Sequence, residues 1–250
     1  LFLGVAAHWG LYFLAVDWLE TTIRQLPPDI HLAYREVRTT LWGDMEIGEA
    51  RLRLPGVPAP LEMKRVEIRV PSVPVYLLRN NPLFGFGPPA FLELRIPSIR
   101  LSLERVPAKA DDGCDLEEGL SFQSLKRLGF PQLEGTFEAR YHYRPSLSAL
   151  QATLQARIEG IEKVSFETRL QNVTDQGLRN GQLATAMLSM AVLKVNLQHD
   201  FGRRLVRYCA AEHQLTPAAM EARFAALVAK KLRERGVLPG PDLEAALQNY

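Results

Sequence analysis

Hydrophobic and polar positions change rhythm twice along this chain. Residues 1–19, LFLGVAAHWGLYFLAVDWL, are apolar apart from Gly4, His8, Gly10 and Asp17. At 1.5 Å per residue, the sixteen residues before Asp17 span about 24 Å, close to the ~30 Å hydrocarbon core of a bilayer. Trp9, Tyr12 and Trp18 sit where aromatic residues gather at a membrane surface, and the run passes into Glu20 without a small-residue cleavage site. The pattern predicts an uncleaved membrane anchor helix over 1–26, with a soluble core helix as the alternative. Pro27-Pro28 ends it, because neither proline donates a backbone hydrogen bond.

The period then falls to two. Ile30, Leu32 and Tyr34 alternate with polar neighbours, as do Ala50, Leu52 and Leu54, then Val66, Ile68 and Val70. The same alternation runs through Leu92, Leu94 and Ile96, and again through Ile99, Leu101 and Leu103. Three further runs follow: Leu133 to Tyr143, Leu150 to Ile158 and Val164 to Leu170. Such runs predict antiparallel strands with one apolar and one wet face. Pro55-Gly56, Asn80-Asn81-Pro82, Gly85 to Pro89, Arg144-Pro145-Ser146 and Glu159-Gly160 mark the turns between them. Charges on the wet face alternate in sign, as in Glu67-Arg69 and Glu93-Arg95, which predicts cross-strand pairs rather than a ligand site.

From Gly181 a helical spacing is expected, with Leu183, Met187, Met190 and Leu193 forming a stripe within Gln182 to Val195. Asp200 is the expected N-cap of a second helix, and Thr216-Pro217 opens a third. That third helix carries a basic face of Arg223, Lys230, Lys231, Arg233 and Arg235, suited to anionic headgroups at a membrane surface. The expected fold class is therefore α+β. A transmembrane helix leads into a curved, groove-like antiparallel β-sheet over 27–176. A helical segment over 177–250 packs on or beside it.

Composition narrows the function without naming it. The chain has 250 residues, 47% hydrophobic and 23% charged, which are globular values. A net charge of +2 is too small for a nucleic-acid footprint, so no nucleic-acid partner is expected. No phosphate loop, dinucleotide fingerprint, zinc-protease helix or nucleophile elbow occurs, and the five histidines are scattered. The expectation is a protein that is not an enzyme, without catalytic residues, metal or cofactor; a hydrolase assembled without a recognisable motif is the alternative. Cys114 lies in an acidic loop, Asp111 to Asp115, and Cys209 on an expected helix. In an exported domain the two are expected to pair; in a reducing compartment they would stay thiols.

The strand opening Leu41-Trp42-Gly43-Asp44-Met45-Glu46-Ile47-Gly48, placed after an apolar helix, resembles the start of AsmA-like proteins of the Gram-negative envelope. The Cys114 loop, then Leu125 to Phe130 and a strand bearing Tyr141 and Tyr143, is similar to periplasmic proteins of that build. The resemblance implies a single-pass inner-membrane protein with its main domain in the periplasm. It implies membrane lipid as the partner, sheltered, bound or transferred on the apolar face of the sheet. Leu52, Leu54, Val66, Ile68, Leu94, Ile96, Leu101, Leu103, Phe137 and Tyr141 would make that face. The alternative is a non-catalytic scaffold or accessory subunit of a larger membrane protein complex.

Overall fold

The computed structural model describes residues 12–40, 44–70, 91–104, 114, 121–174, 177–178 and 186–234, apart from positions 14, 18, 22 and 25. The chain forms two compact units: Leu1–Leu101 with Leu133–Asn196, and Ser102–Gln132 with Leu197–Tyr250.

The first unit is built on a nine-stranded antiparallel sheet. Its strands are β1 (His31–Ala33), β2 (Glu36–Thr39), β3 (Asp44–Arg53), β4 (Leu61–Arg69), β5 (Phe91–Ser102), β6 (Gln132–Arg144), β7 (Ala149–Ile158), β8 (Glu162–Gln171) and β9 (Met187–Leu197). They lie in the order β1-β3-β4-β5-β6-β7-β8-β9, with β2 beside β1 on the same flank of β3. The runs around Leu94 and Ile99, read separately in the sequence, are one strand, β5, interrupted in its pairing near Pro97, which lacks an amide hydrogen. The connections β3–β4, β6–β7 and β7–β8 each use a residue with positive φ: Gly56, Ser148 and Gly160 reach 75°, 46° and 75°.

Among the described residues no helix is long and apolar enough to cross a membrane. That finding corrects the expected transmembrane helix and the single-pass inner-membrane placement built on it. The physical reason lies in the helix itself. Helix α1, covering the described positions between 12 and 24, is two-sided rather than apolar all round. Ala15 and Leu19 are 0% and 4% exposed, and Tyr12, Val16 and Ile23 pack beside them against the sheet. Phe13, Asp17, Glu20, Thr21 and Arg24 occupy the remaining described positions, with Phe13 61% exposed and Arg24 bonded to Glu20 at 3.3 Å. The apolar stripe is thus satisfied by Val37, Met45, Ile47, Ala50, Met63 and Val66 of the sheet. Residues 1–11 of the expected anchor lie outside the described residues.

A second correction concerns the fold class after residue 181. The expected helical stripe of Met187, Met190 and Leu193 belongs to strand β9, with Leu183 outside the described residues, so helix begins only at His199 and the chain is mainly a large antiparallel sheet. Val192, Val195 and the alternating Leu188, Met190, Val192 suit a strand as well as a helix, and pairing with β8 decides between them.

The second unit holds α2 (Phe122–Arg127), α3 (His199–Glu212) and α4 (Pro217–Glu234). The Ser121 hydroxyl accepts from Ser124 N at 3.0 Å and caps α2. Helix α3 begins after Gln198, leaving Asp200 in its first turn rather than at the cap. Thr216 behaves as its sequence predicts: its hydroxyl accepts from Ala219 N at 3.2 Å, one residue pair beyond Pro217. Cys114 and Cys209 are bonded, with their Cα atoms 5.3 Å apart. Around them pack Ala210 and Met220, the latter fully buried, with Leu205, Val206, Tyr208 and Phe224. His213 Nε2 lies 2.9 Å from Cys114 O and holds that backbone in place. The remainder of the acidic loop flanking Cys114 lies outside the described residues, as do the turns at 80–82 and 85–89.

Candidate functional site

The apolar side of the sheet has two halves with different fates. In the first, α1 lies over the face. Of the residues singled out from the sequence, Val66 is in the buried cluster, and Leu52, Ile68, Leu94 and Ile96 pack against it. Leu54 is half-buried just beyond β3, and Leu101 is buried on β5. Leu103 is fully buried, but in the second unit. The helix therefore occupies the ground that a ligand would need over β3 and β4.

In the second half, β6, β7 and β8 keep strict alternation, and their register lines up apolar rows. Phe137 lies opposite Ala156 and Ala156 opposite Val164; Ala139, Leu154 and Phe166 form the next row; Tyr141, Ala152 and Thr168 the third. Tyr143, Leu150 and Leu170 close the series at one end. That end is capped: Val173 is buried, Leu178 and Ala186 pack beside it, and the Tyr143 hydroxyl donates to Val173 O at 3.2 Å. Along the other rows the side chains of Phe137, Ala139, Tyr141 and Leu154 are half-buried, and Phe166 is 37% exposed. Phe137 and Tyr141, expected from the sequence, thus stand with Ala139, Leu154 and Phe166, which the sequence reading placed on strands without assigning them to the site. Period-two alternation marks all of them equally, and their different burial among the described residues comes from contacts distant in sequence.

The opposite face is polar and already paired. Arg35 reaches Glu49 at 2.9 Å, Arg65 reaches Glu67 at 2.7 Å, Arg69 reaches Asp44 at 2.9 Å and Arg100 reaches Glu134 at 3.0 Å. The Arg69 guanidinium is held above its ordinary pKa, first by the hydrogen bond from its Nε to Asp44 and then by that carboxylate's charge. A hollow of about 400 Å³ lies among Arg38, Asp44, Glu46, Glu67, Arg69 and Arg95. Its charges neutralise one another at the surface, where each such pair is worth ~0–1 kcal/mol. Among the described residues no group of three or more His, Cys, Asp or Glu is placed to hold a metal ion.

In the second unit, Arg223, Lys230, Lys231 and Arg233 are exposed on α4, while Arg235 lies outside the described residues. Lys230 is 3.8 Å from Glu234, one turn on. Arg127 reaches Glu212 at 3.4 Å, and the Arg204 guanidinium stacks 5.0 Å from the centre of the Phe130 ring. These contacts are those of helices fastened together. No family model matches the sequence, and no curated protein matches it either.

Proposed function

We propose that the protein shelters the acyl chains of membrane lipid on the apolar face of β6, β7 and β8, in a binding rather than a catalytic role. The observation that carries this reading is the contrast between the two halves of one sheet face. The same kind of apolar row is covered by α1 over β3 and β4, yet over β6 to β8 Phe137, Tyr141 and Leu154 stay half-buried and Phe166 stays open. A row of aromatic and branched side chains left in contact with water costs free energy unless something covers it. A sixteen-carbon chain gains roughly 12 kcal/mol on leaving water, at ~0.8 kcal/mol per methylene, so partial cover by a sheet face suffices for reversible binding. The AsmA-like resemblance points to the same class of ligand.

The test is native mass spectrometry of delipidated protein incubated with vesicles of phosphatidylethanolamine and phosphatidylglycerol. Bound phospholipid is expected, and Phe137→Arg or Phe166→Arg should abolish it while leaving the thermal midpoint within a few degrees. Protein that takes up no lipid, or variants that bind as well as the parent, would overturn the reading. Recovery of the protein in a stable, lipid-free complex with integral membrane subunits would favour the scaffold alternative instead.

A further inference from the structure

We propose that Arg157 and Lys163, at the hairpin end of β7 and β8, form a binding site for a phosphate group on the polar face of the sheet. The site goes beyond the acyl rows, because strand neighbours point in opposite directions. Thr136, Arg157 and Lys163 therefore lie on the other side of the sheet from Phe137, Ala156 and Val164. In the register Thr136 faces Arg157, and Arg157 in turn faces Lys163. Like charges directly opposite one another destabilise a sheet.

Elsewhere on this face the protein resolves such a conflict with its own side chains. Glu46 faces Glu67 across β3 and β4, and Arg65 reaches both carboxylates, at 3.8 and 2.7 Å. Other charges meet their opposites directly: Arg69 faces Asp44 on one side and Glu93 on the other, and Glu62 faces Arg100. Arg157 and Lys163 have no such relief. Among the described residues neither makes an ion pair or a side-chain hydrogen bond, so the bridging charge is left to come from solution.

The surroundings suit an oxyanion. A hollow of about 250 Å³ is lined by Arg157 and Lys163 together with Thr136, Gln155 and Arg95. A guanidinium, an ammonium, a hydroxyl and a side-chain amide all offer hydrogens, and the guanidinium fork matches two oxygens of one phosphate. Glu138 also lines the hollow, but Arg140 holds its carboxylate at 3.2 Å. Glu159 and Glu162, on either side of the turn, are not among its walls. A phosphate monoester carries about −1.5 to −2 charge at pH 7 and can offset both cations. A carboxylate brings a single charge to two cations and leaves their repulsion partly standing. The phosphate group can belong to a free ester or to the headgroup of an anionic lipid at a bilayer surface.

The test is calorimetric titration of the full chain with inorganic phosphate and with glycerol 3-phosphate, at ionic strength held constant with chloride. Saturable binding is expected. Arg157→Gln or Lys163→Gln should weaken it by about tenfold or more, as expected for losing one hydrogen bond to a charged group. Arg169→Gln, at another exposed and unpaired cation of the same face, should leave it unchanged. Lys163→Glu has an effect of opposite sign on stability. In chloride it should raise the thermal midpoint, because opposite charges now face across the two strands, and phosphate should raise it no further. Co-sedimentation with phosphatidylglycerol vesicles that inorganic phosphate reverses assigns the group to a headgroup; phosphate binding without co-sedimentation assigns it to a free ester. Titrations that show no binding of either phosphate overturn the proposal. So does an Arg169→Gln chain weakened as much as Arg157→Gln, or a Lys163→Glu chain that gains no stability. Acyl binding is read by mass spectrometry on Phe137 and Phe166 variants, so either proposal can fail without the other.

Discussion

Opening the bond between Cys114 and Cys209 should be the most damaging single covalent change in the molecule. The second unit is made of two separate stretches of chain, Ser102–Gln132 and Leu197–Tyr250. Cys114 lies on the first and Cys209 on the second, 95 residues apart in sequence, so the bond is the covalent tie between them. Closing a loop of that length removes about 4.7 kcal/mol of chain entropy from the unfolded state. Among the described residues the non-covalent ties between the two stretches include the Phe130–Phe201 edge contact, Arg204 over Phe130, Arg127 with Tyr208 and Glu212, and His213 with Cys114 O, the last of which depends on the bond holding Cys114 in place. Against a total stability of ~5–15 kcal/mol for a typical domain, such a loss is severe. Thermal melting with and without reductant, and of Cys114→Ala/Cys209→Ala, should show the midpoint fall by roughly 10–20 °C. Hydrogen exchange should show α3 losing protection before β6 to β8. Two free thiols on labelling the denatured, unreduced chain would refute the reasoning, as would a stability change below about 1 kcal/mol on reduction.

Three further outcomes follow from single residues. Leu19→Ala should cost ~2–5 kcal/mol in urea unfolding, because Leu19 is buried between α1 and the sheet, whereas Phe13→Ala, on the open side, should stay within about 0.5 kcal/mol; equal effects would contradict the placement of α1. Glu49 has φ 50°, so Glu49→Gly should be neutral or stabilising by up to ~1 kcal/mol even though its exposed pair with Arg35 is lost, and Glu49→Val should destabilise by roughly 1–2 kcal/mol. The Tyr34 phenol is pushed above its ordinary value near 10, first by burial and then by the charges of Glu20 and Tyr12. A raised folded-state pKa gives stability that is full below the unfolded value and lost as pH rises through the folded one. Ultraviolet difference titration should therefore place Tyr34 above free tyrosine, with stability falling at the alkaline end, and Glu20→Gln should bring it down; a normal titration would remove the contact.

The strand positions were readable because period-two alternation depends only on which side chains meet water, and that survives in β6, β7 and β8 without interruption. The start of α4 was readable because a capping hydroxyl before proline acts locally. What α1 packs against was not. A sheet face and a bilayer offer the same apolar surroundings, and the discriminating signal is Asp17, Glu20 and Arg24 set apart from the Ala15–Leu19 side. For β9 the local preference was overridden: Met, Leu and Ala favour a helix weakly, and pairing along β8 outweighs that preference. Which apolar rows are covered depends on contacts distant in sequence, so no periodicity could separate Val66 from Phe137.

One feature of the first strands was written in the sequence as a defect of pattern. β1 and β2 share a register against β3: Ala33 faces Arg51 and Glu36 faces Gly48, so Arg35 falls opposite Glu49. Gly48 faces Arg65 and Ala50 faces Met63, so Glu49 falls opposite Lys64. Met63 faces Ile99 and Glu67 faces Arg95, so Lys64 and Arg65 fall opposite Ser98 and Pro97. Each strand therefore has two successive non-apolar residues on the same two rows: Arg35-Glu36, Gly48-Glu49, Lys64-Arg65 and Pro97-Ser98. Apolar residues lie at one parity before the rows and the other parity after them, yet Met45, Ile47, Ala50, Met63 and Val66 all join one cluster with Ala15 and Leu19. A slip in one strand alone would turn half of its apolar set to water. Matched slips keep the core on one side and require close approach where they cross. A Cβ on Gly48 would lie 2.8 Å from Glu36 Cγ, so a larger residue there would have to push the exposed Glu36 side chain aside. The two rows thus tie these strands into a block whose register cannot shift one strand at a time. The unbroken alternation of β6 to β8 carries no such lock, and it is that half of the sheet face that α1 leaves uncovered.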